Sequence, residues 1–136
     1  MKQILYQREL FLPSSIEGLN KCLDIVYELT HLCNLDCDTI FCLNTVIIES
    51  VENAIIHGNK FAGDASIRVL IAIGLHEITV EVEDNGDGFD LNSIPSPLEG
   101  RAIDQEGGRG IFIIKSLSRS CYTMGRGNII RIKLKR

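Results

Sequence analysis

Two strand patterns in the middle of the chain constrain its fold most. Residues 67–73 (IRVLIAI) and 78–83 (ITVEVE) are rich in β-branched side chains, and only four residues separate them. A connection this short, with a glycine at its start, is typical of a β-hairpin. The pattern therefore predicts two paired strands, the second of which ends directly before Asp84.

The residues before the hairpin predict one strand and one amphipathic helix. Residues 3–12 alternate imperfectly between apolar and polar side chains and end before a proline, as a first strand would. Ser14 and Ser15 then open a helix, in which Ser14 and Glu17 have the spacing of a capping box. Apolar side chains recur at helical intervals over residues 16–33, so we expect this helix to bury one face.

A second helix is predicted to start at Asp36 or Asp38 and to run to a stop at Gly58. Glu49 and Asn53 lie four residues apart on it and project from the same face. An amide oxygen can ligate a Mg²⁺ ion that holds phosphate oxygens, and a neighbouring carboxylate can accept a proton from an attacking hydroxyl. The alternative is an ordinary solvated helix face, because exposed polar residues are common.

The hairpin is followed by the string DNGDGFD at residues 84–90. An aspartate at the end of a strand can accept a hydrogen bond from the exocyclic amine of adenine. Gly86 and Gly88 allow positive φ and let the backbone pass close to a flat base and ribose. An acidic turn and part of a calcium loop are the competing interpretations, but for a calcium loop the downstream glutamate and the flanking helices of an EF-hand are missing.

A long segment rich in glycine, proline and serine, residues 85–105, is interpreted as a lid. The string GGRG at residues 107–110 then precedes an apolar segment, and glycines that open a helix leave backbone amides free to meet phosphates. Arg109 can add a charge-assisted contact to the same phosphates. Neither a Walker A lysine nor a dinucleotide fingerprint accompanies these glycines. Two more strands are expected around the turn at residues 125–127.

Composition limits the classes of protein to consider. The 136 residues suffice for one domain, residues 1–136, and 45% hydrophobic with 24% charged residues is typical of a packed fold. The formal net charge of -4 provides no basic surface, so we expect no direct nucleic-acid partner. No apolar run approaches the roughly 18 residues that span a bilayer, and no signal-peptide pattern begins the chain. We therefore expect a cytoplasmic protein without a membrane segment.

The five cysteines form an odd set, and reduced thiols are the expectation for a protein that is not exported. Cys33, Cys37 and Cys42 lie close together in the sequence. Their spacing lacks the paired, two-residue separation of zinc sites, so we do not expect a metal there.

Three strings, taken in order, closely resemble the N, G1 and G2 boxes of the GHKL ATPases: ESVENAIIHGNK at residues 49–60, DNGDGFD at residues 84–90 and GGRGIFIIK at residues 107–115. Within that superfamily, the string NAIIHG and the short chain are similar to the anti-sigma serine kinases. The resemblance covers roughly residues 14–135. It implies an α/β two-layer sandwich, with helices packed on one face of a mixed, mainly antiparallel sheet.

The resemblance also implies roles for individual residues. Glu49 would be the general base, Asn53 the Mg²⁺ ligand and Asp84 the adenine contact. Four glycines would shape the pocket: Gly86, Gly88, Gly108 and Gly110. Lys60 and Arg109 would contact phosphates, and a mobile lid would correspond to about residues 91–108. Asn128 would stand in the place of a threonine near the adenine.

The activity implied by the resemblance is that of an ATP-dependent protein-serine kinase. Its protein partners would be a small antagonist protein that accepts the phosphoryl group and a sigma factor that the chain sequesters, and the chain would form a homodimer. Two alternatives remain at this point. One is an ATP-dependent protein-binding module without kinase activity, and the other is a detached ATPase subunit of a larger machine.

Overall fold

The computed structural model describes residues 3–60, 62, 64–91 and 108–136. Five strands in it form one sheet in the order β1-β2-β3-β5-β4, and all four pairings are antiparallel. The elements are, in chain order, β1 (Ile4–Pro13), α1 (Ile16–Leu32), α2 (Cys37–Asn53), a π-helical turn (Ala54–Gly58), β2 (Ser66–Gly74), β3 (Glu77–Glu83), α3 (Gly108–Leu117), β4 (Ser120–Met124) and β5 (Ile129–Lys135).

The helices cover one face of this sheet. Helix α1 packs on β1, while α2 packs on β3 and β5 and also contacts α1 and α3. The strands point alternate side chains toward the helices, as the period of two requires. The buried side chains of the inner strands are Ile67, Val69, Ile71 and Ile73 of β2, Ile78, Val80 and Val82 of β3, and Ile130, Ile132 and Leu134 of β5. The expected α/β two-layer sandwich is confirmed, as is the predicted hairpin.

The other face of the sheet holds a network of charged side chains. Glu81 is only 4% exposed, and its two carboxylate oxygens bind two arginines. Arg68 Nη2 lies 2.8 Å from Glu81 Oε2, and Arg131 Nη2 lies 2.6 Å from Glu81 Oε1. A buried carboxylate is tolerated when charged hydrogen bonds replace its hydration, as they do here.

Helix α1 begins one residue later than its capping-box spacing predicted. Ser15 is the N-cap, and its Oγ accepts a hydrogen bond from Gly18 N at 3.3 Å. Ser14 N donates to Ala65 O at 3.1 Å, which holds Ser14 alongside the start of β2. The predicted capping box of Ser14 and Glu17 is therefore wrong, because the backbone of Ser14 is already committed to that contact.

Helix α2 begins where the sequence offered two choices. Asp36 is the N-cap, and its Oδ1 accepts from Thr39 N at 2.8 Å. Hydrogen bonds from the side chain of Thr39 and, second, from its backbone lower the pKa of Asp36, because they favour the ionised carboxylate. Asp38 lies in the first turn, where its charge faces the positive end of the helix dipole.

One helical stretch among the described residues, Cys37–Gly58, is long and apolar enough to cross a membrane by length and composition. Several of its apolar side chains have partners inside the protein. Leu43, Val46 and Ile47 are fully buried between the sheet and the neighbouring helices. Packing in the core therefore accounts for these apolar side chains, while Phe41 on the same stretch is exposed.

All five cysteines are free thiols. Burial raises the pKa of Cys22 to about 12 and that of Cys121 to about 11, so neither thiol is activated as a nucleophile. Within the described ranges, no three His, Cys, Asp or Glu side chains lie close enough together to hold a metal ion.

Candidate functional site

Helix α2 does not continue regularly to Gly58, as the sequence predicted, but widens into a π-helical turn over its last residues. Asn59 N donates to Ala54 O at 2.7 Å and closes this turn. π-helical turns are rare in proteins, and those that occur are often found at functional sites. The wider turn brings Gly58 against the Asp84 carboxylate, which any Cβ atom on Gly58 would overlap. Residue 58 must therefore be glycine for Asp84 to keep its position.

Asp84 lies at the end of β3 and is buried. Its backbone exchanges bonds with Asn128: Asp84 N donates to Asn128 O at 3.0 Å, and Asn128 Nδ2 donates to Asp84 O at 2.9 Å. Gly86 N donates to Asp84 Oδ1 at 2.7 Å. Burial raises the pKa of Asp84, and the Gly86 amide and the Arg126 charge partly counteract that rise. The hydrogen bond from Gly86 N orients the Asp84 carboxylate, and a carboxylate held in this way can accept a hydrogen bond from an amine.

The two glycines after Asp84 serve different purposes. Gly88 has a φ of 88°, as expected for a glycine in this loop. Gly86 is not among the described residues with positive φ, and its requirement is steric, because a Cβ there would overlap the carbonyl of Gly58. The loop therefore packs closely on the π-helical turn.

Glu49 and Asn53 meet at the start of α3. A Cβ atom on Gly110 would lie 2.8 Å from Glu49 Oε2 and 3.5 Å from Asn53 Oδ1, so both side chains border the same point of α3. Only a residue without a side chain leaves space between them. The solvated helix face that was the alternative for these two residues does not describe this arrangement, because both face a packed neighbouring helix and are only partly exposed.

The carboxyl group of Glu49 has a raised pKa. The largest cause is burial, the charge of Glu52 adds to it, and the charge of Arg109 counteracts it. A carboxylate whose pKa is raised is a stronger base than an ordinary glutamate. The direction of this shift agrees with the role expected for Glu49.

The Glu49–Asn53 pair and Asp84 both border the second half of α2 and the turn that follows it, the pair at Gly110 of α3 and Asp84 at Gly58. Gly58 comes nine positions after Glu49 in the chain, so the Glu49 end and the Asp84 end are separated by on the order of 10 Å along the helix. Arg109 is exposed in the first turn of α3, at the Glu49 end, and Gly108 is the first residue of that helix. Lys60 is exposed with a φ of 50° and follows directly on the Asp84 end.

Part of the predicted lid lies outside the described residues, namely residues 92–107, which include Gly107. Its first residue, Leu91, is buried in the core, and Leu91 O accepts a hydrogen bond from Lys115 Nζ at 3.3 Å. This contact ties the end of the Asp84 loop to α3.

Asn59 is a residue whose importance the sequence did not indicate. It is buried, and its Oδ1 accepts from Asn85 N at 2.8 Å. Its Nδ2 donates to Ser14 Oγ at 3.1 Å and to Ser66 O at 3.2 Å. One amide therefore joins the Asp84 loop to the β1–α1 junction and to the start of β2. These partners are distant in sequence, so no local pattern could have revealed them.

Replacing Asn59 by alanine should lower the free energy of unfolding by about 2 kcal/mol, because it leaves the Asn85 amide and the Ser66 carbonyl without their partner. Chemical denaturation of Asn59→Ala measures this loss. The control is Asn20→Ala, since Asn20 is exposed on α1. Equal stability of the two variants would contradict the joining role of Asn59.

Comparison with known proteins shows the family to which the chain is similar. The chain matches the family model described as "Histidine kinase-like ATPase domain" over residues 12–134. It is also similar to two proteins named "Anti-sigma F factor" from Clostridium botulinum, one from strain Eklund 17B (type B) and one from strain Alaska E43 (type E3). Each is 28% identical over 116 residues, which cover 82% of this chain and 81% of the relative.

Proposed function

The chain belongs to the histidine kinase-like ATPase family, and from that premise we propose that it is a protein-serine kinase of the anti-sigma type. In this proposal one domain, residues 1–136, transfers the γ-phosphoryl group of ATP to a serine of a small antagonist protein. The observation that carries the proposal is the meeting of Glu49 and Asn53 at Gly110, on the helix whose last turn contacts Asp84 through Gly58.

In this proposal ATP lies with its adenine at Asp84 and its phosphates toward Glu49 and Asn53. Asp84 accepts a hydrogen bond from the exocyclic amine of adenine, which guanine does not offer at that position. The triphosphate then runs along the end of α2 toward Glu49. There the backbone amides at the start of α3 and the guanidinium of Arg109 contact the phosphates. Lys60 remains a further candidate for a phosphate contact.

Asn53 is the residue that would hold Mg²⁺. Its amide group borders the space left by the missing side chain of Gly110, with Nδ2 at 3.4 Å and Oδ1 at 3.5 Å from a Cβ atom built there. An amide oxygen suits a magnesium ion that keeps most of its other ligands from water and phosphate. When bound, the ion neutralises charge on the phosphate oxygens.

Glu49 acts as the general base. It accepts the proton of the acceptor serine hydroxyl as that oxygen forms a bond to the γ-phosphorus. The bond from the γ-phosphorus to the β–γ bridging oxygen breaks at the same time, and ADP leaves with that electron pair. The raised pKa of Glu49 favours this role over that of a passive surface carboxylate. The presence of a glutamate at position 49, beside Asn53, favours a kinase over the alternative of a binding module without chemistry.

The protein partners follow from the relatives. Because two similar proteins carry the name "Anti-sigma F factor", we propose that the chain binds a sigma factor when the antagonist is absent. Binding of nucleic acid is not part of the proposal, since the net charge is -4. The proposal also includes that two copies of the chain form a homodimer in the cytoplasm.

The proposal is tested by incubating the purified chain with Mg²⁺, ATP and a candidate antagonist protein, followed by mass spectrometry of the antagonist. The expected result is one phosphoserine on the antagonist. A stable complex that forms only with ATP, without any phosphoserine, would replace the kinase by the binding module. ATP hydrolysis without either result would favour an ATPase subunit.

A further inference from the structure

The turn between β4 and β5 lies directly against the Asp84 loop. Phe89 N donates to Gly127 O at 3.2 Å, and the backbone of Asp84 bonds to Asn128 at the other end of the turn. A Cβ atom on Gly88 would overlap the carbonyl of Arg126. The two loops therefore fit together closely enough that a shift of one displaces the other.

The side chain of Arg126 adds a second kind of contact. Its Nε donates to Gly86 O at 2.8 Å, and its Nη2 donates to Asn85 O at 3.4 Å. Residues 85–90 belong to no helix or strand, so regular secondary structure does not order these carbonyl groups. A guanidinium is a planar fork of donors and can hold two neighbouring carbonyl groups at once.

The carbonyl of Asn85 and the amide of Gly86 are parts of the same peptide group. That amide is the one that donates to Asp84 Oδ1 at 2.7 Å. A hydrogen bond to the carbonyl of a peptide group orients the group and strengthens the donor at its other end. A chain of hydrogen bonds therefore runs from Arg126, through one peptide group, to the Asp84 carboxylate.

We propose that Arg126 is a positioning residue of the nucleotide site, which orients Asp84 through the Asn85–Gly86 peptide group. This inference rests on the proposed binding of adenine by Asp84. Arg126 does not touch the nucleotide in this account. It acts from the exposed side of the loop, so its effect on binding separates from its effect on folding.

Arg126 is exposed, and exposed side chains contribute little to folding stability. Arg126→Ala should therefore leave the melting temperature nearly unchanged. It should weaken ATP binding about tenfold, the effect of losing one favourable charged hydrogen bond. ADP should lose affinity by the same factor, because the change acts on the adenine contact, which ATP and ADP share.

The experiment is a calorimetric titration of four proteins with ATP: the unmodified chain, Arg126→Ala, Arg126→Lys and Arg8→Ala. Arg8 is exposed on β1, at the edge of the sheet away from β5, so its replacement removes the same charge at a distance. We expect Arg8→Ala to bind within about twofold of the unmodified chain. Arg126→Lys keeps the charge but loses the fork, and it should lie between the other two variants.

Equal affinities of Arg126→Ala and Arg8→Ala, with clear binding by the unmodified chain, would overturn the role of Arg126 and leave the proposed function intact. A melting temperature lowered in Arg126→Ala, with unchanged affinity of the folded protein, would also overturn it, because Arg126 would then be only structural. Absence of ATP binding by the unmodified chain would refute the proposed function and this inference together.

Discussion

Glu49→Gln should lower the rate of phosphoryl transfer to the antagonist by about 10² to 10⁴-fold, because general-base catalysis contributes about that much. Glutamine is close in size to glutamate, so it preserves the packing against Gly110 while removing the proton acceptor. ATP affinity should change little. Single-turnover kinetics with the phosphorylated antagonist as the product, together with a binding titration, measure the two effects separately.

The matched control is Glu52→Gln, which changes the same residue type one turn away and leaves the carboxylate of Glu49 in place. Its transfer rate should stay close to that of the unmodified chain. The rate should fall with decreasing pH as Glu49 becomes protonated, and this fall should begin at a higher pH than an ordinary glutamate would give, since the pKa of Glu49 is raised. Loss of the Glu52 charge should move the fall to lower pH. A Glu49→Gln variant with full transfer activity would exclude Glu49 as the base.

Gly58→Ala should weaken ATP binding about a hundredfold, or about 3 kcal/mol. The added methyl group overlaps the Asp84 carboxylate, and that carboxylate is bonded to the Gly86 amide, so it cannot move without disturbing the loop. Overpacking of a well-packed site typically lowers folding stability by about 1–3 kcal/mol. The displaced carboxylate also loses its contact with adenine, and this loss lowers the affinity for ATP. Calorimetric titration at a temperature where the variant is folded measures the change.

Gly18→Ala is the control for this experiment. A methyl group there would overlap the carbonyl of Pro13, at the start of α1 and outside the proposed ATP site. Both variants should lose stability, but only Gly58→Ala should lose affinity for ATP. If the two variants bound ATP equally well, the contact between Gly58 and Asp84 would have no part in binding.

Much of the site follows from short-range patterns in the sequence. The four-residue spacing of Glu49 and Asn53 suffices to place them on one face of a helix, and the strand pattern before Asp84 suffices to place it at the end of a strand. These predictions succeed because helical and strand periods are set by local backbone geometry. The antiparallel hairpin follows in the same way from its short connection.

The contacts that hold the site together do not follow from such patterns. Asn59 and Arg126 act on the Asp84 loop from positions 26 and 40 residues away in the chain, as their bonds to Asn85 and Gly86 show. The π-helical turn is equally hidden, because Ala54–Gly58 has the composition of an ordinary helix end. The predicted capping box at Ser14 fails for a related reason. The partners of Ser14 are the carbonyl of Ala65 and the side-chain amide of Asn59, both distant in sequence.

The central claim, that this chain binds ATP through Asp84, is tested most directly by calorimetric titration with ATP, with and without Mg²⁺, of the unmodified chain and Asp84→Asn. The account predicts Mg²⁺-dependent binding by the unmodified chain and a loss of about 1.5 to 3 kcal/mol in the variant, the usual contribution of a charged hydrogen bond. Equal ATP affinities of the two proteins, or no binding by the unmodified chain, would contradict the claim.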